Sequence, residues 1–148
     1  MSTTSIKIRF LFFILSGFLF LQDAESQTYF GGGFAINTGE VNSAFGPQAK
    51  IALGFADKLE LNGMFTYYLK KGTYYAIDFD LHYKLFNIAD KVLIQPFAGL
   101  NFTRTNITDS SLNLGASLRF PTEKLTYYIE PRLIFDHSQF VLSFGILI

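Results

Sequence analysis

The sequence predicts an all-β fold, an eight-stranded antiparallel up-and-down transmembrane β-barrel. Three observations carry this expectation. From position 27 onward, apolar and polar residues alternate at every second position, the period of a strand rather than a helix. The alternating stretches match the roughly 9–11 residues that a tilted membrane-crossing strand needs. A charged tetrapeptide also recurs, as ADKL at 56–59, ADKV at 89–92 and TEKL at 122–125, in equal steps of 33 residues. Two such strands with their two connections fill that interval, so the repeat marks one turn per hairpin, always on the same side of the sheet.

Composition sets the outer bounds. The 148 residues allow one domain. A net charge of zero excludes both the basic field that draws nucleic acid and an acidic field for a basic partner. With no cysteine there is no disulfide framework, thiolate metal site or cysteine nucleophile. Aromatic residues make up 18% of the chain and charged residues only 16%, against roughly 25% charged in an average soluble domain. That surplus of apolar surface has to fill a very greasy core or face lipid.

The first 26 residues read as a cleaved signal peptide. Lys7 and Arg9 precede an apolar run from Phe10 to Leu21, shorter than the roughly 20 residues of a spanning helix. Ala24 and Ser26 place small residues before a cleavage point ahead of Gln27. The barrel domain is then 27–148.

The strands follow in order. In 29–37, Phe30, Phe34 and Ile36 oppose Tyr29, Gly31, Gly33 and Asn37. In 48–56, Ala49, Ile51, Leu53 and Phe55 oppose Gln48, Lys50, Ala52 and Gly54. In 59–70, Leu59, Leu61, Phe65, Tyr67 and Leu69 oppose Glu60, Asn62, Thr66 and Lys70. The segment 73–86 alternates most strictly, with Ile77, Phe79, Leu81, Tyr83 and Leu85 against Asp78, Asp80, His82 and Lys84. In 93–103, Ile94, Ala98, Leu100 and Phe102 oppose Gln95, Phe97, Gly99, Asn101 and Thr103. In 112–120, Leu112, Leu114, Ala116, Leu118 and Phe120 oppose Asn113, Gly115, Ser117 and Arg119. In 125–135, Leu125, Tyr127, Ile129, Leu133 and Phe135 oppose Thr126, Tyr128, Glu130 and Arg132. In 140–148, Phe140, Leu142, Phe144, Ile146 and Ile148 share a face opposite Ser143 and Gly145. Pro96 and Pro131 fall inside strands, where each must cost a ladder bond or mark a bulge.

A period-two barrel has two possible orientations. A secreted lipocalin-like barrel keeps its apolar face inward around an apolar ligand, and a membrane barrel reverses this. The large residues of the apolar face and the mixture of small residues and charges opposite favour the membrane version. Eight strands leave an interior just wide enough for side chains to fill. Aromatic residues near strand ends suggest two interfacial girdles. The inward charges are then expected to pair as a lumen network of Lys50, Glu60, Asp78, Asp80, His82, Lys84, Arg119, Glu130 and Arg132, with Lys70 on the same face.

The signal peptide, the eight alternating strands, turns such as ADKLEL, and the phrases QPFAGLNF (95–102) and LGASLRF (114–120) carry a resemblance. Over the whole of 27–148 the chain resembles the small outer-membrane β-barrel family of Gram-negative bacteria, of the OmpX/OmpA-transmembrane-domain type as it occurs in Bacteroidetes. The resemblance implies residence in the bacterial outer membrane with periplasmic termini. Its implied partners are outer-membrane lipid, lipopolysaccharide and the barrel assembly machinery. Family members usually end on Phe, the signal read by that machinery, whereas this chain ends on Ile148.

For function, the reading is a structural or interaction barrel with no catalytic residues, cofactor, metal or nucleic-acid partner, present as a monomer. One alternative is a narrow passive porin-like channel, although no single-sign ring of charges argues for ion selection. Another is a lipid A-modifying enzyme. The deacylases of that kind use a His-x-Ser pair on one strand, and the nearest feature here is Asp136-His137-Ser138, where the spacing is absent and neighbouring strand residues face opposite ways. His82 among charges is read as a hydrogen-bonding member rather than a ligand. Segments 38–47 and 104–111 are expected as the outer loops best suited to contact.

Overall fold

The computed structural model describes residues 27–39, 43–71 and 74–148. The leader expected over 1–26 lies outside the described residues. The strands are β1 (Thr28–Asn37), β2 (Ala44–Gly54), β3 (Leu59–Tyr67), β4 (Tyr75–Tyr83), β5 (Phe86–Ile88), β6 (Val92–Arg104), β7 (Thr108–Pro121), β8 (Thr126–Ile134) and β9 (Gln139–Leu147). A single 3₁₀ turn, Asp136–Ser138, joins the last two. Every neighbouring pair is antiparallel. β1 pairs with β9, and β4 with β6, so the sheet closes on itself, with the short β5 paired only to β6.

Nine segments build eight staves, because β4 and β5 are one stave interrupted by a bulge. His82 pairs with Phe97 and Phe86 with Ile94, so four steps along one strand match three along the other. At the bulge the Lys84 amide donates to the Lys58 carbonyl (2.8 Å), while the Leu85 amide donates to Ile94 (3.0 Å). The extra residue turns Leu85 and Phe86 both outward. Pro96 lies where the β4–β6 ladder stops, and Pro131 where the β7–β8 ladder skips between Gly115↔Arg132 and Leu118↔Ile129. Each proline lacks the N–H that a central strand would use, and the ladder opens there.

The three repeats occupy the three connections on one side, as does the ladder end that joins Phe30 to Ile148. In the second, Ala89 (φ 51°) and Asp90 (φ 56°) take consecutive left-handed conformations, and the Lys91 amide donates to the Ile88 carbonyl at 2.9 Å. That is the type I′ geometry which matches the twist of a hairpin.

On the opposite side the strands run further than the apolar pattern suggested. β2 begins at Ala44 and β7 at Thr108, so 44–47 within 38–47, and most of 104–111, are paired strand rather than loop. Ladder bonds need no side-chain pattern, and alternation fades where strands rise beyond an apolar surround. β3 in turn stops at Tyr67, which leaves Lys70 exposed beyond the strand end and outside the lumen.

Burial alternates along the staves. Phe30, Phe34, Phe65, Phe79, Leu81, Leu100, Leu114, Leu133 and Phe144 are exposed on the outer wall. Glu60, Asp80, His82 and Glu130 are 0% exposed on the inner one. This is the inverse of a soluble barrel.

Candidate functional site

The interior is a stack of layers between the loop side and the turn side. At the loop side, the rings of Tyr68 and Tyr74 stack at 4.4 Å. They pack with Ala35, Ala76, Ile134 and Val141 into a buried apolar cluster. The Asn37 amide donates to the Tyr74 hydroxyl (3.1 Å) and to Gln139 Oε1 (2.7 Å). Gln139 in turn donates to the Asp136 carbonyl (2.9 Å), which ties the lumen to the 3₁₀ turn.

Below this cluster, Arg132 of β8 reaches β4 with one guanidinium nitrogen on Asp78 and the other on Asp80, both at 2.6 Å. Asn101 and Asn113 also donate to Asp78 (2.7 and 3.2 Å). Phe97 lies under the Arg132 guanidinium at 4.9 Å and stacks on His82 at 4.5 Å. A fork on two carboxylates with an aromatic face behind it suits Arg and not Lys. His82 Nδ1 faces Gln95 Oε1 at 3.3 Å, so the ring is a buried hydrogen-bonding member.

Lys50 of β2 is ion-paired with Glu130 of β8, both fully buried. Its ammonium also sits over the Tyr128 ring at 4.6 Å. Ser117 donates to Glu130 (2.8 Å), and Tyr128 to Gln48 (3.2 Å). Nearer the turn side, Arg119 of β7 grips Glu60 of β3 with both terminal nitrogens (2.9 and 2.5 Å), and Asn62 adds a bond at 2.7 Å.

Eight of the nine residues named from the sequence are therefore buried inside the barrel, and seven of them form the ion pairs. Lys84 is the exception. It is half-buried at the turn-side mouth and belongs to none of these pairs. The sequence reading did not single out the amides Gln48, Asn62, Gln95, Asn101 and Asn113, which bond to members of the ion pairs or to their polar neighbours. Their inward parity was the available signal, because a neutral side chain at a lumen position still has to bond to something.

Each pair crosses the lumen between staves three places apart in the closed order. The network therefore spans the space instead of lining it. Among the described residues, no group of three or more His, Asp or Glu side chains is placed to hold a metal ion. Asp136–Ser138 is one turn of 3₁₀ helix, and its Asp136 amide donates to Ser111 Oγ at 2.8 Å. Its backbone serves as a hairpin connection.

An apolar outer belt around a filled, ion-paired interior defines the small transmembrane β-barrel class. No family model matches the chain, and no curated protein matches it. Solved structures do. The N-terminal β-barrel domain of Pseudomonas aeruginosa OprF superposes with a TM-score of 0.63 at 14% identity, covering 83% of this chain and 98% of that one. A de novo designed transmembrane β-barrel gives 0.60 at 12% identity, covering 85% and 96%. Neisserial surface protein A gives 0.55 at 17% identity, covering 84% and 99%. The chain shares the fold of these small transmembrane β-barrels. At these identities the likeness is one of fold.

Proposed function

We propose that this protein is an integral outer-membrane β-barrel with a structural or interaction role, and that its lumen is a sealed polar core rather than a conduit. Residues 1–26 would be a signal peptide removed before Gln27, and both termini of the 27–148 barrel would lie in the periplasm. The observation that carries the proposal is the set of buried ion pairs crossing the lumen beneath the Tyr68–Tyr74 cluster. A conduit needs a continuous wet path. Here carboxylates and cations that would solvate an ion are already bonded to one another.

The surroundings are read from the outer wall. Phe and Leu side chains on every stave need hydrocarbon around them, and the β1–β9 and β4–β6 ladders close the barrel. Lipid and lipopolysaccharide are therefore the proposed neighbours, the barrel assembly machinery the proposed route of insertion, and a monomer the proposed state.

Cell fractionation with gel migration of unheated and boiled samples tests the membrane assignment. Outer-membrane recovery with heat-dependent migration supports it, and release as a soluble protein overturns it. Planar-bilayer recording tests the seal. Absence of steady conductance supports a filled lumen, and reproducible single-channel steps would convert the reading to a narrow channel.

A further inference from the structure

The turn-side mouth of the barrel holds a feature that a sealed core does not require. A recess of about 110 Å³ opens there, lined by Tyr29, Glu60, Lys84, Leu93, Arg119 and Thr126 among others. We infer that this recess binds a small free oxyanion, a single carboxylate or phosphate group, between Lys84 and the unused edge of Arg119.

The argument starts from Glu60. Its Oε2 accepts from Arg119, and its Oε1 accepts from both Arg119 and Asn62. The carboxylate is saturated by the two terminal nitrogens of the guanidinium. Arg119 Nε is left over, buried and without a partner among the described residues. Arg119 itself is 4% exposed, and the recess is lined by this same side chain. A buried donor without an acceptor is costly, and a charged one more so.

Lys84 supplies the second donor. The β4–β5 bulge sets it at the mouth, the usual effect of a bulge beside a site. It takes part in none of the salt bridges of the described residues. The ionised lining is thus Lys84, Arg119 and Glu60, one positive charge in excess. One monoanion would balance it while accepting from Arg119 Nε and Lys84 Nζ. Thr126 adds a hydroxyl to the same wall, while that of Tyr29 is donated to Gln27 Oε1 at 2.8 Å.

Size sets the class of ligand. A water occupies about 30 Å³, so the recess holds the equivalent of a few waters and falls well below the roughly 300 Å³ at which drug-sized pockets begin. An inorganic phosphate or a short carboxylate fits this scale, and a nucleotide or a sugar chain does not.

The test uses the full barrel folded in detergent micelles, with isotope-labelled arginine and lysine side chains. Sodium acetate and, separately, sodium phosphate are titrated against chloride at constant ionic strength. The Arg119 Nε–H and Lys84 Nζ resonances are followed. Saturable shifts with either anion support the site, and the better probe names the preferred group. Lys84→Gln removes the charge at the mouth with a polar side chain one atom shorter and leaves the Arg119–Glu60 fork in place. It should weaken the saturable response by about tenfold, the effect of one lost charge-assisted bond. Lys91→Gln removes the same charge from the exposed β5–β6 turn and should leave the response unchanged. Non-saturating shifts with both anions, or equal weakening by the two variants, would overturn the inference and reduce the effect to general screening.

Discussion

Arg119 on β7 and Glu60 on β3 are 59 positions apart in sequence and meet as a two-point fork inside the barrel, at 2.9 and 2.5 Å. Removing one partner leaves the other charge buried with nothing to balance it. Glu60→Ala should therefore destabilise the barrel by about 3–5 kcal/mol. The measurement is the urea midpoint of unfolding in lipid vesicles. The double variant Glu60→Gln with Arg119→Met, which removes both charges, should recover most of that loss. Equal midpoints for wild type and Glu60→Ala would show that the pair is not desolvated.

The β1–β9 seam makes a second prediction. Gly33 pairs with Gly145 there, and a Cβ on Gly33 would sit 2.0 Å from the Phe144 carbonyl oxygen. Backbone cannot yield as a side chain can, so Gly33→Ala should impair closure and lower the yield of the compact, fast-migrating form on unheated gels. Gly63 lies on the outer face, where a Cβ would meet only Ile51 Cγ2 at 3.3 Å. Gly63→Ala should fold like the wild type.

The outer wall makes a third. Phe79 projects from the middle of β4 and is 51% exposed, while Ile107 lies at a loop tip at 65%. In a bilayer, Phe79→Lys should cost about 2–4 kcal/mol, because a cation near the midplane loses its hydration. Ile107→Lys should cost nothing measurable. Vesicle unfolding curves decide this, and a neutral Phe79→Lys would argue that the wall faces water.

The fourth concerns the second repeat. Ala89 and Asp90 hold left-handed backbone without being glycine. The type I′ turn prefers Asn-Gly at these positions. Replacing both, as Ala89→Asn with Asp90→Gly, should raise stability by about 1 kcal/mol, since a left-handed non-glycine residue carries a penalty of about 1–2 kcal/mol. The same vesicle assay reads the shift.

The sequence by itself determined which residues face in and which face out. Period-two alternation is local and holds along the body of each stave, so Asp78, Asp80 and His82 were legible as inward while Phe79 and Leu81 were legible as outward; it fails at the β4–β5 bulge and at Lys70, beyond the end of β3. The equal spacing of the three charged turns determined the number of hairpins for the same reason. The tertiary structure alone decided the partners. Lys50 meets Glu130, Arg119 meets Glu60 and Arg132 bridges Asp78 and Asp80, because closure between β1 and β9 and between β4 and β6 sets which staves stand across the lumen. That closure is a long-range register, and no window of sequence contains it. The bulge at Lys84 belongs with it. Alternation placed this lysine inside with the others, but one inserted residue beside Pro96, where the ladder opens, leaves it at the mouth without an ion-pair partner among the described residues.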